Sequence, residues 1–369
     1  MITYNEMYKA YLECYKNKKK SPGAMEFLFN YQKNIRKLLY EVNSRTYTPS
    51  LSTVFIIKDP KIREVFAAHF RDRIIHHLLI KELLPLFQEY FIENSFSCMP
   101  GRGTLAGVLK MAEYMDIVPK DWYVMKMDVS SFFMGIRKSW LASRLESFIR
   151  ENYRDKRKLE DLVWLCNIIV LTDPTQNCIR VGEYIELPPG KSLFGLSYDK
   201  GLPIGNYSSQ MFANFYMTPL DYFITQELGI WWYGRYVDDF IMYGPKEQLL
   251  QAAPLIREFA RKELDLTISE SKFYLQPINH GVKFVGSMIM PGRIYCGNRV
   301  RGELEKKIHK EFPDPKRLDH SLSVFNSYLG LIKHYSSYNI RRDLLCNLPN
   351  GWDIYFKPSK DYSKLILAT

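Results

Sequence analysis

The chain has 369 residues, 46% hydrophobic and 25% charged, enough for two or three folded units with real cores in the ordinary globular class. With 51 basic against 40 acidic side chains the formal charge is +11, and aromatics reach 15%. Together these favour a polyanionic partner, nucleic acid ahead of an anionic membrane. No apolar run approaches the ~18 residues of a membrane span, and the start is no signal peptide. Six scattered cysteines lack CxxC spacing, which predicts free thiols in a reducing cytosol rather than zinc ligands or disulfides.

Residues 1–50 read as helical and basic. Lys16, Lys18, Lys19 and Lys20 form a charge run consistent with a solvated face as much as with a binding one. Phe27, Leu28, Tyr31, Ile35, Leu38 and Leu39 recur at helix spacing. Residues 51–58 read as a strand, Asp59-Pro60 as a turn, and the stretch from Lys61 as a short basic strand running into a helix with Arg71 and Arg73. Basic groups on such a hairpin can grip a triphosphate. His76 and His77 are adjacent and diverge by about 100° on a helix, so they cannot share a metal. Pro100-Gly101-Arg102-Gly103 allows close backbone approach to a phosphate, although a plain turn is the default, and no Walker Gly-Lys-Ser/Thr follows.

Trp122 to Met127 is a buried-type strand ending in Asp128. Residues 139–168 read as helix and 169–200 as loop-rich with short strands. Gly201 to Asn206 opens a further helix. Two aromatic-rich strands, Ile230 to Tyr233 and Phe240 to Tyr243, then flank Val237-Asp238-Asp239. An Asp-Asp dipeptide alone is also a common solvated turn. Adjacent carboxylates raise each other's pKa, and a divalent cation is the obvious compensation. With Asp128 as a third carboxylate the three would suit Mg²⁺ and leave room for phosphates. An amphipathic helix around Leu255, a strand after Lys272 and the hairpin-like Val282 to Met290 follow. Residues 301–345 return to helices with a basic face that includes Arg301, Lys306, Lys310, Lys316, Arg317 and Arg341. The alternation predicts an α+β sheet with helices on one face.

Across residues 24–345 the chain resembles a reverse transcriptase. The blocks that carry the likeness are Lys61 to His77, Ser95 to Thr104, Met127 to Phe133, Gly201 to Asn214, Tyr236 to Phe240, Lys272, and Lys283 to Gly286, in the family's order. Within the family it is most similar to enzymes of diversity-generating retroelements, a group II intron-like prokaryotic branch. Ile204-Gly205 followed by Ser209-Gln210 stands where group II intron enzymes usually carry Pro-Gln-Gly. Asp173-Pro174-Thr175, Lys191 to Phe194 and Ser327 to His334 point the same way. Retron signatures are missing, and the chain stops too soon after the palm for a maturase and endonuclease.

The resemblance implies a right-hand polymerase with fingers, palm and a small helical thumb. The expected divisions are N-terminal helices and fingers over 1–121, palm over 122–150, an insertion over 151–200, palm again over 201–295, and thumb with C-terminal tail over 296–369. It implies that Asp128, Asp238 and Asp239 are catalytic and hold two Mg²⁺ ions, with the Val129 backbone touching a metal or phosphate. Lys58 or Lys61 with Arg63 would hold the triphosphate, and Phe133 would exclude a 2′-hydroxyl. Ile204, with Gln210 nearby, would lie against the incoming nucleotide; an aliphatic side chain offers no hydrogen bond, so discrimination should be loose. Lys272 is a candidate proton donor, and Lys283, Phe284, Val285 and Gly286 the primer grip. Expected partners are template RNA, the RNA–DNA duplex, dNTPs and a small basic accessory variability protein, with no membrane and a cytoplasmic location. The alternatives are a defence-type or orphan prokaryotic reverse transcriptase, or a non-catalytic RNA-binding scaffold.

Overall fold

The computed structural model describes all residues except Asn17, Pro60, Tyr184, Pro189, 311–317 and Thr369, and leaves out the side chains of Asn298, Arg299, His309 and Lys310. Pro60 of the expected turn, Lys316, Arg317 and the Lys310 side chain therefore lie outside the described residues. The chain opens with α1 (Tyr4–Lys16), α2 (Pro22–Phe29) and α3 (Tyr31–Asn43). A reciprocal capping box starts α1: Thr3 N donates to Glu6 Oε2 at 2.8 Å, and Glu6 N to Thr3 Oγ1 at 3.4 Å. Met7, Ala10, Tyr11 and Cys14 then fall on one buried face. Strands β1 (Ser52–Ile57) and β2 (Arg63–Ala67) pair antiparallel, and α4 (Phe70–Tyr90) follows.

Next come α5 (Thr104–Ile117), β3 (Tyr123–Asp128), the single turn α6 (Phe132–Gly135), α7 (Lys138–Asn152) and α8 (Lys156–Leu171). The periodicity over 139–168 reads as one helix, but the structure breaks it at Asp155, whose carboxylate accepts from Arg157 N at 3.1 Å and caps α8. After β4 (Cys178–Arg180), parallel to β1, come α9 (Tyr207–Tyr222) and a π-helical turn over Phe223–Glu227. Strands β5 (Tyr233–Tyr236) and β6 (Asp239–Gly244), helix α10 (Lys246–Leu264), strand β7 (Tyr274–Pro277) and the 3-10 turn Ile278–His280 follow. Strands β8 (Val282–Phe284), β9 (Ser287–Met290) and β10 (Arg293–Cys296) form an antiparallel meander. The chain closes with α11 (Asn298–Lys310), α12 (Leu318–Ile332), α13 (Tyr338–Cys346), β11 (Phe356–Pro358) and β12 (Leu365–Leu367).

The central sheet has the order β5-β6-β3-β7, all antiparallel. Strand periodicity of two divides its side chains between two cores. Met125, Met127, Phe240 and Met242 join the large core with α4, α7, α8, α9 and α10. Val124, Ile241 and Tyr243 enter a smaller core with α5 and the β8–β9 hairpin. Burial on both faces explains why these strands read as nearly continuous apolar runs. A third core holds Leu304, Phe325, Leu329, Trp352, Phe356 and Leu365. The C-terminal segment returns as the β11–β12 pair to cover α12. The stretch around Ser192 folds onto β2, where buried Glu64 accepts from Ser192 Oγ at 3.0 Å and Leu193 N at 2.8 Å. Among the described residues no helix is long and apolar enough to cross a membrane, and all six cysteines are free thiols.

Candidate active site

The register of β3 against β6 sets Asp128 directly across from Asp239. Both lie on the face that carries Lys126 and Ile241 further along the same strands. Tyr236 pairs with Asp239, so Val237 and Asp238 form a two-residue hairpin turn. Val237 has φ 59°, the left-handed conformation that such turns usually assign to glycine. Asp238 is fixed from across the sheet, its carbonyl accepting from Val129 N at 3.1 Å. Asp128 thus meets the adjacent pair Asp238 and Asp239, 110 residues later in the chain, at one end of the central sheet.

Their electrostatics follow from burial and crowding. Asp238 is pushed up to about 6, chiefly by burial and then by the charge of Asp128, with Lys272 acting in the other direction. Asp239 is also raised by burial, opposed by Lys126 and by a backbone hydrogen bond from Val285. Lys272 Nζ forms a close ion pair with Asp128 Oδ1. Lys126 Nζ donates to Asp239 Oδ2 at 2.9 Å and to the Lys283 carbonyl at 2.7 Å. Asp239 Oδ1 lies 2.8 Å from the same ammonium, but it is buried and receives no well-aligned hydrogen bond.

Among the described residues no three carboxylate, imidazole or thiolate side chains form a ready-made metal cluster. Lysines instead balance Asp128 and Asp239. The donor set still fits a hard divalent cation: every candidate ligand is a carboxylate oxygen, one buried oxygen lacks a hydrogen bond, and Asp238 is destabilised as an anion by Asp128. Asp128, Asp238 and Asp239 would hold it.

The hairpin of Lys283 to Gly286 reaches this cluster. Val285 and Gly286, with φ 47° and 82°, form its two-residue turn. Phe284 is buried in the smaller core, while Lys283 is exposed. Phe133 and Ile204 meet in one apolar cluster with Val54, Phe66, Met134 and Leu193. Ile204 is held to β2 by Phe66 N donating to its carbonyl at 2.8 Å. Gly205 next to it has φ 119°, and a Cβ there would stand 2.7 Å from Val65 Cγ1, so this close crossing requires glycine. Gln210 is exposed on α9, its Oε1 2.9 Å from Cys98 Sγ. Lys61 and Arg63 are exposed at the turn end of the β1–β2 hairpin, and Lys58 there pairs with Glu183 at 2.9 Å.

Several basic groups turn inward. Arg102 donates to the Ile92 and Ser95 carbonyls at 2.7 and 3.0 Å, so its side chain buttresses the Gly-Arg-Gly stretch from inside, in keeping with a structural turn. Arg71 pairs with Glu41 and Arg73 donates to the Ala68 carbonyl at 2.8 Å, which removes both from the group available to a triphosphate. His76 is a buried core histidine, its Nδ1 2.5 Å from Ser208 Oγ. Lys126 and Arg235 are the polar residues at this site to which the sequence reading gave no role. Period two places Lys126 on the face of Asp128, a signal that was present; the partners of Arg235 lie on other elements and left none.

A family model for reverse transcriptase (RNA-dependent DNA polymerase) matches residues 57–289, more than half of the chain. Solved structures found in the comparison include the telomerase of Candida albicans in complex with a TWJ fragment of telomeric RNA. It shares 12% identity over 86% of this chain and 61% of that one, with a TM-score of 0.47. The apo telomerase of Candida tropicalis shares 11% identity over 80% of this chain and 56% of that one, with a TM-score of 0.51. The chain thus spans less than two thirds of either telomerase chain, and at 11% identity the likeness to the second is one of fold. No curated protein sequence matches significantly. The architecture is the α+β, right-hand polymerase-like fold, and the chain belongs to the reverse transcriptase (RNA-dependent DNA polymerase) family.

Proposed function

We propose that the protein is an RNA-directed DNA polymerase whose chemistry resides on Asp128, Asp238 and Asp239. The observation that carries this reading is the strand register that sets Asp128 across from Asp239, with Asp238 at the adjoining turn. Reverse transcriptase domains bind template RNA and dNTPs and use divalent ions, typically Mg²⁺. Bound to these carboxylates, such ions would polarise the primer hydroxyl and neutralise the leaving pyrophosphate. The chain's own residues do the rest. Asp128, Asp238 and Asp239 gather negative charge at one point, and Lys272 holds a proton next to Asp128 where a leaving oxygen can take it. Phe133 and Ile204 form the apolar wall of the nucleotide pocket, and Arg63 and Lys61 meet the triphosphate from the turn end of the β1–β2 hairpin. Lys283 to Gly286 support the primer end. Residues 1–121 and 151–200 form N-terminal helices, fingers and their insertion, 122–150 and 201–295 the palm, and 296–369 the thumb. Primer extension on an RNA template with Mg²⁺ tests this reading, and full synthesis by an Asp238→Ala, Asp239→Ala protein would refute it.

The finer reading is error-prone copying of a template-repeat RNA in a diversity-generating retroelement, with a small basic accessory protein. It rests on the aliphatic Ile204 beside Phe133, a position without a hydrogen-bonding group. A pair of near-identical repeats beside the gene, differing at adenines, would support it. Their absence favours a defence-type enzyme.

A further inference from the structure

Arg235 lies three residues before Asp238 and is fully buried together with its partner Asp221. Its guanidinium is saturated. Nε and Nη2 make a bidentate pair with Asp221 Oδ1 and Oδ2 at 2.7 and 2.6 Å. Nη2 also donates to Ser95 Oγ at 3.2 Å, and Nη1 to Asn214 Oδ1 at 3.1 Å. The remaining donor goes from Nη1 to the carbonyl of Val237 at 2.9 Å. The anchors are themselves anchored. Tyr233 Oη donates to Asp221 at 2.7 Å, and Asn214 Nδ2 to the Ser97 carbonyl at 2.7 Å. The Arg235 backbone is sewn to the neighbouring chain by Arg235 N donating to the Asn94 carbonyl and Phe96 N to the Arg235 carbonyl, both at 2.9 Å.

A buried ion pair is a poor source of stability compared with an apolar pair of similar volume, so its use here calls for another role. The Val237 carbonyl supplies one. Val237 is β-branched yet left-handed, a conformation such residues seldom adopt unaided. Arg235 grips the carbonyl that enters Asp238, and Val129 N grips the carbonyl that leaves it.

We infer that Arg235 is a positioning residue for the polymerase reaction. By holding the Val237 carbonyl it fixes the turn in its left-handed form and so sets the direction of the Asp238 carboxylate. This inference rests on the catalytic reading of Asp238. Lysine at 235 keeps a positive charge beside Asp221 but lacks the planar fork that reaches Val237 at the same time. Glycine at 237 adopts the left-handed conformation freely and reduces the need for the grip.

The test compares wild type, Arg235→Lys, Arg235→Lys with Val237→Gly, and Asp238→Ala in primer extension on RNA. Folded fraction is followed by circular dichroism melting, and Mn²⁺ affinity without nucleotide by electron paramagnetic resonance. Arg235→Lys is expected to lower kcat about tenfold or more at nearly unchanged KM for dNTP, and to weaken Mn²⁺ binding several-fold, in protein that is still folded. The added Val237→Gly should recover most of both. Wild-type kcat per folded molecule in Arg235→Lys, or no recovery with glycine, overturns the inference. If Arg235→Lys does not fold, Arg235→Met with Asp221→Leu replaces the pair by apolar groups. That protein should show the same kcat loss, and unimpaired synthesis by it overturns the inference equally. Full synthesis by Asp238→Ala would instead overturn the catalytic reading on which it rests.

Discussion

The two β-hairpins that face the proposed reaction are built in opposite ways. The β5–β6 hairpin stands on a buried, fully bonded floor: Arg235 uses every donor, Asp221 and Asn214 are bound in turn, and the turn residue is held left-handed. The β1–β2 hairpin ends in exposed Lys61 and Arg63, and its Lys58 pairs with an exposed Glu183. A site that must hold carboxylates close together needs rigid support, because their repulsion would otherwise separate them. A site that receives a triphosphate from solvent needs charge, and the ligand supplies the order. Groups on the floor should therefore affect stability and kcat, and groups on the rim KM and selectivity.

Outside the carboxylates, the largest expected effect is on stability and comes from a buried histidine of α4. His76, packed beside Ser208 of α9, is lowered to about 4 by burial, with His77 and Arg73 adding to it. The unfolded chain takes up this proton near 6.5, so its contribution is complete above that pH and is lost as pH falls from 6.5 towards 4. The loss amounts to roughly 3 kcal/mol. Urea unfolding at pH 7.5 and 4.5 should show this drop in wild type and a smaller one in His76→Gln; equal drops would remove His76 from the account.

On the rim, Phe133→Ala should raise incorporation of ribonucleotides relative to deoxynucleotides, by about 100-fold if the ring is the barrier to a 2′-hydroxyl. Competition between rNTP and dNTP in single-nucleotide extension measures it, and an unchanged ratio would return Phe133 to packing alone. Arg63→Ala should raise KM for dNTP roughly tenfold, the equivalent of ~1.4 kcal/mol, with little change in kcat. A fall in kcat with constant KM would place Arg63 with the floor instead. The smallest effect is that of Ile204→Gln, which should reduce misincorporation opposite template adenine several-fold by restoring a hydrogen-bonding group. Sequencing of the cDNA reads it directly, and an unaltered error spectrum would exclude Ile204 from fidelity.

What was legible in the sequence divides along the same line. Asp128 could be read because an apolar strand ends in it, and Asp238-Asp239 because two aromatic strands flank them. Their convergence needed the pairing of β3 with β6, which no local pattern encodes. Lys126 was legible in principle, being two residues before Asp128 on the same face, but it is hidden within a strand that otherwise reads as core. The Arg235 network was not legible: its partners Ser95, Asn214 and Asp221 lie on other elements, and arginine is seldom fully buried unless it is paired. Arg71 and Arg73 show the converse. Their charge looked available to phosphate, and the fold uses it on a neighbouring carboxylate and on a carbonyl oxygen. The helix break at Asp155 was missed because apolar periodicity runs through it, whereas a side-chain cap determines where α8 begins.

The central claim is that the three aspartates at the end of the β3–β6 pair carry RNA-directed DNA synthesis. The most direct measurement is extension of a DNA primer on an RNA template with Mg²⁺, comparing wild type with folded Asp238→Ala, Asp239→Ala protein. The account predicts synthesis by the wild type and a fall of about 10³-fold or more in the double variant, the several kcal/mol that lost metal stabilisation of the transition state would cost. Equal synthesis by the two proteins would contradict it.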